Sequence, residues 1–299
     1  MYPEPERLIG KYAEFLGINH DNVYVTNGSD HGIRVLLETF GEPNKEVITV
    51  SPTFEIYWVC CNLLGLKHKP ISYNEDYTIN IKDILETITS ETRIVVLLNP
   101  NSPIGNLYTE EEVQSVIDKA QDVGAIVILD EAYHYFYDKT FLDFAMKNDN
   151  VLLLRTFSKL MSIAGCRVGC VIGNSELVHY VKNSRLAYEM NSVGLLFAER
   201  LLEHPEIIKS LIEKEREGKA YLINKLEQNG YWHMDCHGNY VLIKTKHDAH
   251  EVAKRLEVEK KTLVHAYNTP MLKDMLRVTV GSRSTMEFFT KVFFDIDNN

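Results

Sequence analysis

Short apolar runs alternate with amphipathic stretches through the first two thirds of the chain. A strand that is covered on both faces is apolar at successive positions, so each run predicts a buried strand of a mostly parallel sheet. The amphipathic stretches between the runs predict helices that sandwich this sheet. The predicted strands are residues 23–25, 47–50, 94–98, 126–129, 151–154 and 170–172.

The pattern changes from about Tyr188 onwards. Apolar residues recur at helical spacing through positions 195–202 and 208–222, which predicts a long helical bridge. Two further apolar strands, 240–243 and 276–280, flank one helix, and a last helix begins near Ser284. We therefore predict an α/β fold with two domains. Residues 1–187 form an N-terminal segment and a large domain, and residues 188–299 form the bridging helix and a smaller α+β domain.

Composition narrows the function classes. The chain has 299 residues, of which 45% are hydrophobic, enough for a large core. Its net charge of −10 argues against a nucleic-acid partner, because binding to phosphates needs a basic face. Five cysteines without a CxxC pair indicate neither a disulfide framework nor a metal site. With no apolar segment of membrane-spanning or signal-peptide character, we expect a cytoplasmic protein without a membrane partner.

The candidate chemistry lies where two predicted strands end. Asp130 follows the run 126–129, and Lys159 follows the run 151–154 in the segment Arg155-Thr-Phe-Ser-Lys159. In open α/β sheets, ligands bind at the carboxyl ends of the strands. A lysine amine and a buried acid are the groups that pyridoxal phosphate requires, because the acid keeps the cofactor's ring nitrogen protonated. Tyr133, three residues after Asp130, could donate to the cofactor's phenolate oxygen.

A second candidate feature is the segment Gly28-Ser29-Asp30, which precedes a helix with one apolar face. Such a segment alone is usually an ordinary helix cap. A phosphate, however, binds well at a helix N-terminus, where free N–H groups and the helix dipole favour an anion. Ser29 and Asp30 would supply these N–H groups. The Ser158 hydroxyl and the Arg167 guanidinium would complete the phosphate site.

Eight short motifs, in their order along the chain, resemble one family. The family is the fold-type I pyridoxal-phosphate-dependent aminotransferases, and the resemblance is closest to the class II branch typified by histidinol-phosphate aminotransferase. The motifs are Tyr2-Pro-Glu-Pro, Asn27-Gly-Ser-Asp30, Ser51-Pro-Thr-Phe54, Asn99-Pro-Asn-Ser-Pro-Ile-Gly105, Asp130-Glu-Ala-Tyr133, Thr156-Phe-Ser-Lys159, Ala164-Gly-Cys-Arg167 and Leu276-Arg-Val-Thr-Val-Gly281.

The resemblance implies a reaction and a set of site residues. The reaction moves an amino group between a small amino donor and a 2-oxo acid or similar carbonyl compound. Lys159 would be the Schiff-base lysine, Asp130 the partner of the ring nitrogen, and Phe54 the aromatic residue that stacks on the ring. Arg277 would bind the substrate's carboxylate or phosphate, with Asn239 nearby. The other implied cofactor-binding residues are Ser29, Asp30, Asn101 or Ser102, Tyr133, Thr156, Ser158, Arg167 and, from the neighbouring subunit of a homodimer, Tyr2.

Three positions depart from the family pattern. Ser102 stands where the family usually has an asparagine that bonds the cofactor's O3′, although Asn101 is adjacent. His265 stands where histidinol-phosphate aminotransferases commonly carry an arginine that helps to hold the substrate's phosphate. The chain also starts one residue before Tyr2, without the family's longer N-terminal arm, and the sequence leaves open whether this start is natural.

Two alternative functions stay open. The first is a decarboxylase of a phosphorylated amino acid, because the same branch includes such enzymes. No motif here reveals which bond at the substrate's α-carbon would be broken. The second is a non-catalytic protein that keeps the fold and binds the cofactor.

Overall fold

The computed structural model describes residues 2–299, which contain two sheets. The larger sheet has seven strands in the order β1-β7-β6-β5-β4-β2-β3. Strand β7 runs antiparallel to β1 and β6, and the other pairings are parallel, as the sequence predicts. The strands are β1 (Val23–Thr26), β2 (Glu46–Ser51), β3 (Lys67–Ser72), β4 (Thr92–Leu98), β5 (Ile126–Asp130), β6 (Val151–Thr156) and β7 (Gly169–Gly173).

Helices cover both faces of this sheet. In β4, Val95 and Leu97 point into one hydrophobic cluster and Ile94 and Val96 into another, because successive side chains of a strand face opposite ways. The first cluster lies under α1 (Glu6–Leu16), α5 (Glu110–Asp122), α6 (Leu142–Lys147) and α8 (Ser192–Leu202). The second lies under α2 (Ser29–Phe40), α3 (Ile56–Leu64) and α7 (Ser175–Asn183). The short helix α4 (Ile81–Thr87) packs beside α5.

The smaller sheet is antiparallel, with the strand order β10-β11-β9-β8. It packs on three helices around Leu222, Val241, Leu276 and Phe293, which gives the smaller α+β unit expected from the sequence. The elements are α9 (Pro205–Gln228), β8 (His233–Asp235), β9 (Tyr240–Lys244), α10 (Ala249–Lys260), β10 (His265–Ala266), β11 (Met275–Thr279) and α11 (Arg283–Asp297).

The predicted helical bridge consists of two helices. Helix α8 ends at Leu202, and α9 begins at Pro205, whose fixed φ and missing N–H suit a first helical position. Buried residues of α8 and Ile208 of α9 join the cluster beneath the large sheet, whereas Leu222 of α9 joins the small core. The division of the chain at residue 188 stays a prediction.

Candidate active site

A cavity of about 230 Å³ lies at the carboxyl edge of the large sheet. Leu98, Asp130 and Thr156, the last residues of the parallel strands β4, β5 and β6, line it side by side. The N-terminus of α2 and the turn that carries Lys159 close its walls. The sheet thus brings together the strand ends that the sequence analysis singled out.

The N-terminus of α2 forms one end of the cavity. Gly28 precedes the helix at φ +83°, and no side chain caps the first helical N–H groups. Ser29 and Asp30 line the cavity, and the Asp30 carboxylate lies 2.9 Å from Nη2 of Arg167. A Cβ at Gly28 would collide with this guanidinium, so glycine lets Arg167 lie against the helix start. Uncapped amides beside an arginine fit a phosphate group.

Ser158 and Thr156 continue the wall beside Arg167. Both line the cavity, and the Ser158 N–H donates to Oγ1 of Thr156 at 3.1 Å. This bond shapes the turn between β6 and Lys159. Ser158 therefore lines the same cavity as Ser29 and Asp30 at the start of α2.

Asp130, the last residue of β5, is a buried residue of the cavity lining. Its Oδ2 accepts a 2.7 Å hydrogen bond from the Tyr57 hydroxyl, and its Oδ1 accepts from the Ala132 N–H at 3.0 Å. Burial raises the pKa of Asp130 to about 6, although both hydrogen bonds and Lys159 act in the opposite direction. A protonated ring nitrogen would supply the cation that this buried carboxylate lacks.

Tyr57 is a site residue that the sequence analysis did not assign. It follows Phe54 by one turn, with its N–H 3.3 Å from the Phe54 carbonyl, and its ring is fully buried. Phe54 lines the cavity, and its stacking on the cofactor ring stays a prediction, whereas the Tyr57 hydroxyl donates to Asp130. No signal in the sequence pairs Tyr57 with Asp130, because the two residues lie 73 positions apart.

Lys159 and Arg277 approach Tyr133 from two directions. The Lys159 Nζ lies 5.1 Å from the centroid of the Tyr133 ring, and Nη2 of Arg277 donates to the Tyr133 hydroxyl at 3.0 Å. Arg277 lies on β11, outside the cavity lining, and its buried Nε has no partner within residues 2–299. An unused donor of this kind is available to an anionic group of a substrate.

Asn101 and Ser102 differ in what their side chains contact. The Asn101 amide is fully buried, accepts from Thr53 Oγ1 at 2.7 Å, and donates to the Pro52 carbonyl and the Tyr73 hydroxyl at 3.0 and 2.8 Å. Ser102 lines the cavity. Of the two neighbours, only Ser102 lines the cavity, and which of them contacts the cofactor stays a prediction.

Besides Asn101 and Arg277, two more predicted site residues lie outside the cavity lining. Asn239 precedes β9, and its carbonyl accepts from the Val280 N–H at 2.8 Å. Tyr2 is 68% exposed and stacks on Tyr188, with ring centroids 4.0 Å apart. The roles of Asn239 near the substrate and of Tyr2 at a neighbouring subunit stay predictions.

The residues that line the cavity suit the phosphate, the ring face and the ring nitrogen of pyridoxal phosphate. The α2 amides, Ser158 and Arg167 suit its phosphate, Phe54 suits its ring face, and Asp130 suits its ring nitrogen. When bound, this cofactor supplies an aldehyde that condenses with amines and a ring that takes up electrons released at the substrate's α-carbon. The protein's part would be to bind and orient these groups, and Nζ of Lys159 is the candidate group for moving protons.

The described residues contain neither a membrane-crossing helix nor a metal cluster. No helix within residues 2–299 is long and apolar enough to cross a membrane. In the same range, no group of three or more histidine, cysteine or acidic side chains is arranged to hold a metal ion.

Comparison with known proteins identifies the family. The family model "Aminotransferase class I and II" matches residues 2–293. Histidinol-phosphate aminotransferase from Clostridium novyi (strain NT) is 32% identical, over 94% of this chain and 79% of that protein. The enzyme of the same name from Caldanaerobacter subterraneus subsp. tengcongensis is 33% identical, over 99% of this chain and 84% of that protein.

The solved structures show the same fold. Histidinol-phosphate aminotransferase from Sinorhizobium meliloti in complex with pyridoxal-5'-phosphate has a TM-score of 0.90 at 20% identity, covering 100% of this chain and 83% of that chain. L-threonine-O-3-phosphate decarboxylase from Porphyromonas gingivalis has a TM-score of 0.83 at 20% identity, covering 100% and 91%. At these identities the likeness concerns the fold alone. On the sequence evidence, the chain belongs to the class I and II aminotransferase family and is a pyridoxal-phosphate-dependent enzyme.

Proposed function

We propose that the chain transfers an amino group from a donor related to histidinol phosphate to a 2-oxo acid or similar carbonyl compound. The observation that carries this proposal is that Lys159 and Arg277 both lie beside Tyr133, one near its ring and the other at its hydroxyl. Transamination needs a base that moves a proton between two carbon atoms and an anchor that orients the substrate toward that base. Lys159 supplies the amine, and Arg277 supplies the anchor for a carboxylate or a phosphate.

The remaining side chains have supporting roles in this proposal. Asp130 holds the proton on the ring nitrogen, so that the ring can withdraw electrons. Tyr133 and Ser102 bond O3′ of the cofactor, and Phe54 covers one face of its ring. Its phosphate is held by Ser29, Asp30, Thr156, Ser158 and Arg167, and Asn239 lies near the substrate anion.

His265 is the reason to propose a donor class rather than histidinol phosphate itself. It is exposed on β10, directly opposite Arg277 of β11, and its ring lies edge-on to Tyr267 at 4.5 Å. A histidine is a weaker phosphate ligand than the arginine common at this position, because it lacks the permanent charge and the planar fork of N–H donors of a guanidinium. Histidinol phosphate is therefore the first donor to test among several.

We also propose that the enzyme is a cytoplasmic homodimer. Val193, Leu196 and Phe197 on α8 are more than half exposed, and burying such a face between two copies would remove it from water. The five cysteines are all unpaired, which suits a reducing compartment.

The experiment that tests the function is a panel of amino donors. The purified protein, loaded with pyridoxal phosphate, is incubated with histidinol phosphate, aspartate or O-phosphothreonine, each with and without 2-oxoglutarate. We expect glutamate to form with at least one donor and no carbon dioxide to be released. Lys159→Ala should abolish transfer, whereas Lys147→Ala, at an exposed lysine on α6, should not.

Other results would support the alternatives. Carbon dioxide released in proportion to consumed donor would identify a decarboxylase. A protein that binds pyridoxal phosphate but converts none of the donors, and whose bound cofactor never takes up an amino group, would be a non-catalytic member of the fold.

A further inference from the structure

Tyr240 connects the two sheets at the active site. It is the first residue of β9, its side chain is fully buried, and its hydroxyl donates to the main-chain carbonyl of Asn101 at 2.5 Å. Asn101 immediately precedes Ser102, which lines the cavity. A side chain from the small sheet therefore fixes the loop that presents Ser102 to the cofactor.

The ring of Tyr240 makes a second contact. The Arg277 guanidinium lies over this ring, with Cζ 4.0 Å from the centroid, and the Tyr133 ring packs edge-on at 5.3 Å. A cation over a buried aromatic face is attracted to it and loses rotational freedom. The Tyr133 hydroxyl and the Tyr240 ring thus both contact the guanidinium, while its Nε has no partner in the described part of the chain.

The surroundings hold Tyr240 itself in place. The Cys236 Sγ lies 3.3 Å from the Ile104 carbonyl, and the His237 N–H donates to the Gly105 carbonyl at 3.4 Å. A Cβ at Gly105 would collide with Cys236, so the two loops are in main-chain contact. Lys219 of α9 donates to the carbonyls of Cys236 and Gly238, which anchors the loop that leads into β9.

We propose that Tyr240 is a positioning residue with two separable actions. Its hydroxyl sets the position of Ser102 at the cofactor, and its ring sets the direction of Arg277 toward the substrate anion. The proposal rests on the roles given above to Ser102 and Arg277. Because one action belongs to the hydroxyl and the other to the ring, two substitutions at the same position separate them.

The first substitution is Tyr240→Phe, which removes the hydroxyl and keeps the ring. The Asn101 carbonyl loses its donor, so we expect pyridoxal phosphate to bind roughly tenfold more weakly. The pH midpoint of the bound cofactor's visible absorbance should rise, because a less well held phenolate oxygen is protonated more easily. The KM for the 2-oxo acid should stay within about twofold, since Arg277 still lies on an aromatic ring.

The second substitution is Tyr240→Leu, which also removes the ring. Here the KM for the 2-oxo acid should rise roughly a further tenfold above that of Tyr240→Phe, because the guanidinium is no longer oriented. If circular dichroism shows that Tyr240→Leu does not fold, Tyr240→Met is measured in its place, because methionine fills the space with a flexible apolar side chain.

Tyr231→Phe is the matched control. Tyr231 is also a buried tyrosine, and Lys246 Nζ lies 4.6 Å from its ring centroid. Its hydroxyl lies 3.4 Å from Asn298, and the residue does not line the cavity. This variant should keep the wild-type cofactor affinity, absorbance midpoint and KM. Any loss it shows measures the general cost of removing such a hydroxyl.

Each action has its own contradicting result. Wild-type cofactor affinity and absorbance midpoint in Tyr240→Phe would overturn the action through Ser102. Equal KM values in Tyr240→Leu and Tyr240→Phe would overturn the action through Arg277. If the wild-type protein transferred no amino group to any acceptor, the proposed function would fail, but the two cofactor measurements would still decide the role of the hydroxyl.

Discussion

Asp130 is the residue that we propose keeps the cofactor's ring nitrogen protonated, so that the ring can withdraw electrons. Its carboxylate is buried, and the two hydrogen bonds it accepts keep it in one orientation. Asp130→Asn preserves the shape but cannot hold a proton on a ring nitrogen, so we expect pyridoxal phosphate to bind and kcat to fall about 100-fold or more. Measured kcat and cofactor affinity check this.

The control for this prediction is Asp118→Asn, at an exposed position of α5. It should leave both quantities unchanged. A kcat close to wild type in Asp130→Asn would show that another acid protonates the ring nitrogen.

Tyr57 provides a prediction of pH dependence. Burial raises the pKa of the Asp130 carboxyl. The hydrogen bond from the Tyr57 hydroxyl stabilises the ionised carboxylate and therefore lowers this pKa. In Tyr57→Phe the pKa should therefore rise. Because activity needs the ionised carboxylate, the acidic limb of the kcat/KM profile should move to higher pH, by roughly one pH unit.

Tyr24→Phe is the matched comparison for Tyr57→Phe. It removes a hydroxyl that also bonds a carboxylate, Oε2 of Glu189 at 2.5 Å, but outside the cavity lining. Its acidic limb should stay where it is in the wild type. An unmoved limb in Tyr57→Phe would separate Asp130 from the pH dependence of the reaction.

At the scale of elements, the interior strands of the large sheet could be predicted because each contains a run of apolar residues. Strands β4, β5 and β6 lie inside the sheet and need apolar residues on both faces. Strand β3 was not predicted, because it is an edge strand whose polar residues face solvent and whose Pro70 is tolerated only at an edge. The two-residue β10 is too short for any periodicity to show.

Helix α9 carries a titrating group that the sequence pattern does not reveal. Glu215 is buried, and its Oε1 has no partner in the described part of the chain. Burial raises its pKa from the ordinary 4.5 to about 7; Lys219 and Arg216 act against this shift, and Asp235 adds to it. The folded state thus binds this proton more tightly than the unfolded state does.

This shift predicts how Glu215 affects stability. The favourable contribution of Glu215 to the free energy of unfolding is complete below about pH 4.5. It is lost as the pH rises through about 7. Glu215→Gln cannot ionise, so it should raise the Tm relative to wild type more at about pH 8 than at about pH 4.5. Glu213→Gln, at an exposed position of the same helix, should show no such difference. Equal Tm differences for Glu215→Gln at both pH values would contradict the prediction.

At the scale of the whole molecule, the site gathers residues that are far apart in sequence. That Lys159, Asp130 and Arg167 lie together could be predicted, because each lies in a motif with a family-specific context and at a strand end or turn; their roles stay predictions. Tyr57 and Tyr240 could not, because their roles come from the partners that the fold brings to them, Asp130 and the Asn101 carbonyl. The choice between Asn101 and Ser102 likewise depends on Thr53 and Tyr73, which lie in other segments.

The exposed apolar residues of the single chain predict that it forms a dimer. Tyr2 and Tyr188 stack on each other with both rings exposed, and Val193, Leu196 and Phe197 present further apolar surface on α8. A two-fold dimer buries the same patch on both copies and can bring each N-terminus to the other copy's site. We therefore expect the holoprotein to sediment as a dimer and Phe197→Glu to sediment as a monomer. Phe288→Glu, at an equally exposed aromatic residue on α11, should stay dimeric.

Tyr2 then tests whether the neighbouring subunit completes the site. If the Tyr2 hydroxyl bonds the cofactor phosphate of the other copy, Tyr2→Phe should weaken cofactor binding by about one hydrogen bond to a charged acceptor, roughly 1.5–3 kcal/mol. Cofactor titration of the dimeric variant measures this loss, and Phe197→Glu should show the same loss because its monomers lack the neighbour. A monomeric holoprotein would refute the dimer. If the protein is a dimer but Tyr2→Phe binds the cofactor as tightly as wild type, the dimer is supported and Tyr2 does not belong to the neighbouring site.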